Sequence, residues 1–164
     1  MLNSTDSKSS KSALQWKPNV TVAAIIEHAG KFLLVEEITE RGHRFNQPAG
    51  HLEEHETIIA AAIRETLEET AYDFTPEAIV GIYHWQHPLN GITYLRFAFS
   101  GTLGKHYPEQ ALDDGIIRTV WKTETEIAAE GASMRSPQVL LCVQDYLAGK
   151  RYPLDILKHL GQAL

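Results

Sequence analysis

Apolar residues along this chain fall in short blocks separated by Gly, Pro and polar stretches, and the period of the blocks changes once. Val20-Thr21-Val22-Ala23-Ala24-Ile25-Ile26 is rich in β-branched residues and reads as a buried strand. Ala29-Gly30-Lys31 is a turn, and Lys31 to Glu36 is the returning strand. Thr39 to His43 is polar, contains Gly42 and reads as an exposed loop, with a short strand over Arg44 to Pro48. From about Thr57 to Thr70 the spacing becomes helical. Two strands follow, Ile79 to Trp85 and Thr93 to Leu103, joined through Pro88-Leu89-Asn90-Gly91. A loop over 104–115 leads to a strand from Ile116 to Trp121. Thr123-Glu124-Thr125-Glu126 has the form of a capping box. Ser136-Pro137 opens a longer helix to about Ala148, ended by Gly149, and Pro153 to Leu160 reads as a last short helix. The expected fold is α/β, a mixed β-sheet sandwiched between α-helices.

Composition narrows the setting. A chain of 164 residues and 18.4 kDa suits a single domain. Residues 1–15 read as a flexible N-terminal tail and 16–164 as the domain. The formal charge of −6 argues against a nucleic-acid partner, which needs a basic face. It leaves room for a small phosphorylated substrate, because a bound metal ion reverses the local sign. Cys142, the one cysteine, sits in an apolar run and reads as a buried thiol. No apolar run is long enough to span a bilayer, and the N-terminal segment lacks the apolar core of a signal peptide, so the cytoplasm is expected and no membrane partner. Monomer and homodimer stay open.

The chemistry concentrates in the helical segment. Glu65, Glu68 and Glu69 stand at i, i+3 and i+4 and share one face. Like charges that close are unfavourable unless a cation lies between them. Carboxylate oxygens suit Mg²⁺, with Mn²⁺ as a substitute, and the chain offers no Cys-rich or paired-His zinc set. On a helical wheel Ile59, Ile63, Thr66, Leu67 and Thr70 form the face expected to pack on the sheet, and the glutamates lie opposite. Ala61 and Ala62 flank the carboxylates, where small side chains would leave room for metal and substrate. Ile58, in the first turn, projects toward the acidic side. Glu56 falls away from the cluster and suits a structural ion pair or a helix-start cap. Arg64 can position the glutamates or reach a phosphate. Gly50 permits a turn that brings its carbonyl near a metal.

An isolated ExxEE would be an ordinary solvated face. The full spacing is Gly50, five residues, Glu56, seven residues, then Arg64-Glu65-x-x-Glu68-Glu69, and it resembles the Nudix box, GX5EX7REUXEEXGU, with U a bulky aliphatic residue. That family hydrolyses nucleoside diphosphates linked to another moiety, using divalent metal. Thr66, Ala71 and Tyr72 depart from the pattern. They fall on packing and capping positions, and Ala71 in place of a helix-ending glycine would cost about 1 kcal/mol. The resemblance extends over about residues 17–160. Lys17-Pro18-x-Val20-Thr21-Val22-Ala23, Asn46 to Glu53, Leu95-Arg96-Phe97, Arg135-Ser136-Pro137 and Gly149 to Leu154 are similar to the NudJ-type phosphatases of that family. The subgroup removes phosphate from nucleoside tri- and diphosphates and from 4-amino-5-hydroxymethyl-2-methylpyrimidine pyrophosphate. The resemblance implies Glu65, Glu68 and Glu69 as metal ligands, Glu65 also as candidate base, Gly50 as a carbonyl ligand, and Arg64 paired with Glu56.

Relatives of this kind often add an acid from elsewhere. Asp113 and Asp114 are candidates, as are Glu36 and Glu37, while Glu53 and Glu54 suit outer contacts or solvent. Arg44, Trp85, His87, Tyr94, Arg96 and Arg135 are the expected substrate contacts, since aromatic rings stack on a base and Arg forks onto phosphate. His51 is assigned no catalytic role. Three functions compete. The first is a Mg-dependent phosphatase, and the second is a housecleaning pyrophosphohydrolase for non-standard nucleotides or for dinucleotide and nucleotide-sugar substrates. The third is a non-catalytic nucleotide-binding module.

Overall fold

The computed structural model describes residues 15–161, so the expected tail over 1–15 lies outside the described residues save for Gln15. The β-branched block forms β1 (Asn19–Ile25), followed by β2 (Glu27–His28), β3 (Lys31–Thr39), β4 (Gly42–Asn46) and β5 (Ala49–His51). Helix α1 (Ile58–Thr70) leads into two long strands, β6 (Tyr72–Gln86) and β7 (Thr93–His106). Strand β8 (Ile116–Lys122), α2 (Glu124–Ala129) and α3 (Gln138–Leu147) complete the regular elements, with 3₁₀ turns at Gly131–Ser133 and Leu154–Ile156. The turn at Leu154–Ile156 is all that forms of the helix expected over Pro153 to Leu160.

The α/β architecture is the expected one, but the strands divide into two sheets. One runs β5-β1-β7-β6 and is mixed, with β1 and β7 parallel and the other pairs antiparallel. In the other, β3 pairs antiparallel with β2, β4 and β8. Alternation along the strands feeds two cores. Val22, Ala24, Leu33 and Phe99 pack with Ala61 and Ala62 of α1. Ile25, Phe32, Leu34 and Ala98 pack with Ile127 of α2 and with Val139, Cys142 and Val143 of α3. Strands buried on both faces carry nearly continuous apolar runs, which is why β1 and β3 lack a polar alternation. Cys142 is fully buried, and burial pushes its thiol up to about 11.

Three expectations change. The loop over Thr39 to His43 is a tight β3–β4 hairpin, with Thr39 opposite Gly42 and Gly42 at a φ of 83°. Such a turn needs only its glycine, so polar composition concealed pairing strands. Strand β7 continues to His106, so the loop before β8 starts later than expected. The packing face of α1 is also rotated. Ile63 is 38% exposed, while Ala61, Ala62, Glu65, Thr66, Glu69 and Thr70 are buried. Ala61 and Ala62 are buried in the core against Val22 and Ala24 of β1, so they are packing residues and do not border a metal or substrate. This packing takes the Glu65–Glu69 side of the helix partly inside. Ile58, half-buried, packs on the same core.

Candidate active site

Helix α1 holds the acidic cluster rigidly because both its ends are fixed. Thr57 caps the start, its Oγ1 accepting from the Ala60 N–H at 3.0 Å. This is the helix cap considered for Glu56. At the other end Ala71 takes a left-handed conformation, φ 56° and ψ 27°, and its N–H donates to Leu67 O. The alanine therefore adopts the conformation that the glycine of the motif would adopt freely.

Arg64 organises the acids around it. Its Nη1 donates to Glu65 Oε1 at 2.8 Å and to Glu68 Oε2 at 3.0 Å. Its Nη2 donates to Glu56 Oε1 at 2.8 Å and to the His51 carbonyl at 3.0 Å, and its Nε to Glu56 Oε2 at 3.1 Å. A planar fork with five N–H donors makes all five of these bonds, where an ammonium has only three donors. Glu56 is held well below the usual carboxylate range by Arg64, and it also accepts from the Glu53 N–H. Glu53 and Glu54 themselves are exposed.

Glu65 and Glu69 are each 8% exposed, whereas the Glu68 side chain is more open. Burial raises Glu65 despite Arg64, and it pushes Glu69 up to about 9 despite a 2.8 Å hydrogen bond from the Ala49 N–H. Both carboxylates lie where a negative charge needs a cation. Gly50 is required beside them: a Cβ there would stand 2.0–2.1 Å from the Glu65 carboxyl atoms. The glycine thus lets a carboxylate rest directly against the β5 backbone. Hard oxygen donors around a close backbone approach fit Mg²⁺ or Mn²⁺. Among the described residues no three His, Cys, Asp or Glu side chains form a closed ligand set, and Arg64 bridges Glu65 and Glu68.

The other acids separate. Asp113 donates its N–H to Glu68 O at 3.0 Å, and its charge contributes to raising Glu65 and Glu69. Asp114 is exposed and bonds none of the glutamates. Glu36 is engaged with Arg118 at 2.7 Å and His43 at 3.0 Å, a structural pair. Glu37 faces the other way, half-buried, raised by burial, and 3.6 Å from Arg135 Nε.

Glu37 belongs to a cleft of about 720 Å³ that passes Ala49, Gly50 and His51 and reaches Trp85 and Tyr94. All the expected substrate contacts, Arg44, Trp85, His87, Tyr94, Arg96 and Arg135, line it. Four arginines, Arg41, Arg44, Arg96 and Arg135, face two glutamates, Glu37 and Glu40, so the cleft is locally positive on an acidic chain. Trp85 and Tyr94 are direct partners across β6 and β7, stacked with centroids 5.8 Å apart and planes at 24°. Arg96 is 6% exposed and rests on neutral groups, Gln47 Oε1 at 3.2 Å and Asn46 Oδ1 at 3.4 Å, and burial lowers its pKa.

Thr21, Ser136 and Gln138 also line the cleft, and sequence reading missed them. The available signal was a polar residue inside an apolar block: Thr21 among the valines of β1, and Gln138 ahead of Val139-Leu140-Leu141.

Comparison with known proteins places this geometry. A family model described as the NUDIX domain matches residues 16–140. Phosphatase NudJ of Escherichia coli (strain K12) is 39% identical over 142 residues, covering 87% of this chain and 92% of that protein. A NUDIX hydrolase from Nitrosomonas europaea has a solved structure 56% identical, with a TM-score of 0.85 over 87% of this chain and 97% of that one. A second Nitrosomonas europaea NUDIX hydrolase, 22% identical with a TM-score of 0.66 over 84% of this chain and 77% of that one, shares the fold. With the box in α1, the Gly50–Glu65 approach and these relatives together, the chain belongs to the Nudix hydrolase family.

Proposed function

We propose that this hydrolase is a Mg²⁺-dependent phosphatase for small diphosphate- and triphosphate-bearing molecules with a planar ring. Nucleoside tri- and diphosphates and 4-amino-5-hydroxymethyl-2-methylpyrimidine pyrophosphate are the substrates, and phosphate is the product. The observation that carries the reading is a cleft that runs from Ala49 and Gly50, the backbone against which Glu69 and Glu65 rest, to a stacked aromatic pair. Its similarity to phosphatase NudJ supports release of phosphate.

Glu65, Glu68, Glu69 and the Gly50 carbonyl are the groups that would hold the metal. When bound, the cation would polarise the phosphoryl group and lower the pKa of a water nucleophile. Arg64 keeps Glu65 and Glu68 aligned and retains Glu56 and the His51 carbonyl as partners when those acids turn to a cation. Glu65, buried and raised, is placed to take a proton from the attacking water, with Asp113 next in line. Arg44 and Arg135 fork onto the phosphates from the cleft wall, while Trp85 and Tyr94 hold the ring. No helix among the described residues is long and apolar enough to cross a membrane.

A panel of phosphorylated metabolites with Mg²⁺, scored by product, tests the reading. Inorganic phosphate from the aminopyrimidine pyrophosphate and from nucleoside triphosphates is the expected product. Pyrophosphate plus a nucleoside monophosphate would instead identify a housecleaning pyrophosphohydrolase. Glu68→Gln should lower turnover at saturating Mg²⁺ by about a thousandfold with an unchanged circular dichroism spectrum. Near-normal turnover in that variant would overturn the ligand assignment.

A further inference from the structure

Among the described residues, six buried side-chain atoms have no hydrogen-bond partner: Thr21 Oγ1, Glu37 Oε1, Arg44 Nε, Arg96 Nε, Ser136 Oγ and Gln138 Nε2. All six belong to residues that line the one cleft. Buried polar atoms are nearly always paired, and leaving one unpaired costs about 1–3 kcal/mol. Sealed from solvent as they stand, these atoms would gain partners if their side chains turned toward a ligand in the cleft.

The six divide by chemistry. Glu37, Arg44 and their neighbour Arg135 stand on the β3–β4 side, with charges suited to phosphate and its counterpart. Thr21, Ser136 and Gln138 are uncharged and only 4–7% exposed, and Arg96 beside them is 6% exposed. Thr21 and Arg96 are direct neighbours across β1 and β7. Tyr94, two residues before Arg96 on the same strand face, stacks on Trp85. The uncharged atoms therefore lie along the floor that leads to the aromatic pair.

This floor is built rigidly. The Arg135 N–H donates to Phe45 O at 2.8 Å, and Gln47 Nε2 donates to Val139 O at 2.8 Å. These bonds tie the segment carrying Ser136 and Gln138 to β4 and its following turn. The same Gln47 holds Arg96 through its Oε1, so one side chain sets both walls in register.

We propose that Gln138, Ser136, Thr21 and Arg96 form a specificity floor that hydrogen-bonds the acceptor-bearing edge of a heteroaromatic ring held at Trp85 and Tyr94. The inference deepens the function proposed above and rests on it for the position of the diphosphate. The floor selects a ring with nitrogen or carbonyl acceptors along one edge. A benzene-like ring would stack but leave the four donors unpaired, and sites built to hydrogen-bond reject such analogues strongly. Gln138 is a positioning and selection residue at the start of α3.

Calorimetric binding with Mg²⁺ present tests this without requiring turnover. The two probes are the methylene-bridged analogue of the aminopyrimidine diphosphate, and methylenediphosphonate, which has no ring. Gln138→Leu should weaken the ring-bearing probe by about tenfold, and Ser136→Ala by about threefold. Methylenediphosphonate should change less than about twofold in both. Gln138→Glu, which keeps shape and removes the amide donor, should repeat the selective loss if the leucine variant folds poorly. Equal weakening of both probes, or no weakening of the ring-bearing probe, overturns the floor. Wild-type protein that binds both probes equally well overturns it too. Failure of the phosphatase reading looks different: the selective binding loss remains while no phosphate is released from any substrate in the panel.

Discussion

The acidic cluster on α1 and the cleft beside it treat buried polar groups in opposite ways. At the α1 end, polar groups are numerous and matched by the protein itself: Arg64 serves Glu56, Glu65 and Glu68, and Ala49 serves Glu69. In the cleft that reaches β6 and β7, several buried polar atoms lack any hydrogen-bond partner. The acidic end is assembled before anything binds. The ring end is left incomplete. Under the proposed function the contrast has a reason: clustered like charges destabilise a fold unless a counter-charge holds them, whereas a selective surface gains from donors that only the right ligand satisfies.

Several substitutions would sharpen or break that contrast. Outside the glutamates themselves, the largest effect is expected from Gly50→Ala, whose Cβ would enter the space of the Glu65 carboxyl group. It should lower kcat by about a hundredfold while leaving binding of the ring largely intact. A steady-state comparison showing kcat unchanged would mean that the close approach has no part in the chemistry. Arg64→Lys keeps the charge but loses the fork, so about a tenfold fall in kcat and a lower Tm are expected. Thermal melts and initial rates check both; a variant equal to wild type would remove Arg64 from its organising place. The smallest effect concerns neither end. Ala71→Gly relieves a left-handed alanine and should raise stability by about 0.5–1 kcal/mol, read from denaturant midpoints, with rates unaltered.

The contrast also governs what the sequence made legible. The acidic end could be read because its residues lie within 20 positions on one local element and its preceding strand, Gly50 to Glu69. Helical spacing alone brings Glu65, Glu68 and Glu69 together. It misjudged the burial of the helix, because Ala61 and Ala62 set the approach to β1 and no wheel shows what lies opposite. The ring end draws on β1, β3, β4, β6, β7 and the start of α3, far apart in sequence. Its aromatic and arginine members were recognisable by type. Thr21, Ser136 and Gln138 were not, since an unpaired polar atom becomes visible only once every neighbour is placed. The division into two sheets was hidden for the same reason: β3 pairs with β8 across more than 80 residues, a register that no local pattern encodes.

The proposed function assigns chemistry to the acidic cluster of α1 and recognition to the β6–β7 end of the cleft. Measuring kcat and KM for Glu69→Gln and Trp85→Ala side by side, on the aminopyrimidine pyrophosphate with saturating Mg²⁺, tests it directly. The account predicts that Glu69→Gln loses about a thousandfold in kcat with KM little changed. Trp85→Ala should raise KM about tenfold and hold kcat within about threefold. A Trp85→Ala variant that loses kcat as heavily as Glu69→Gln, at an unchanged KM, would contradict the division between the two ends.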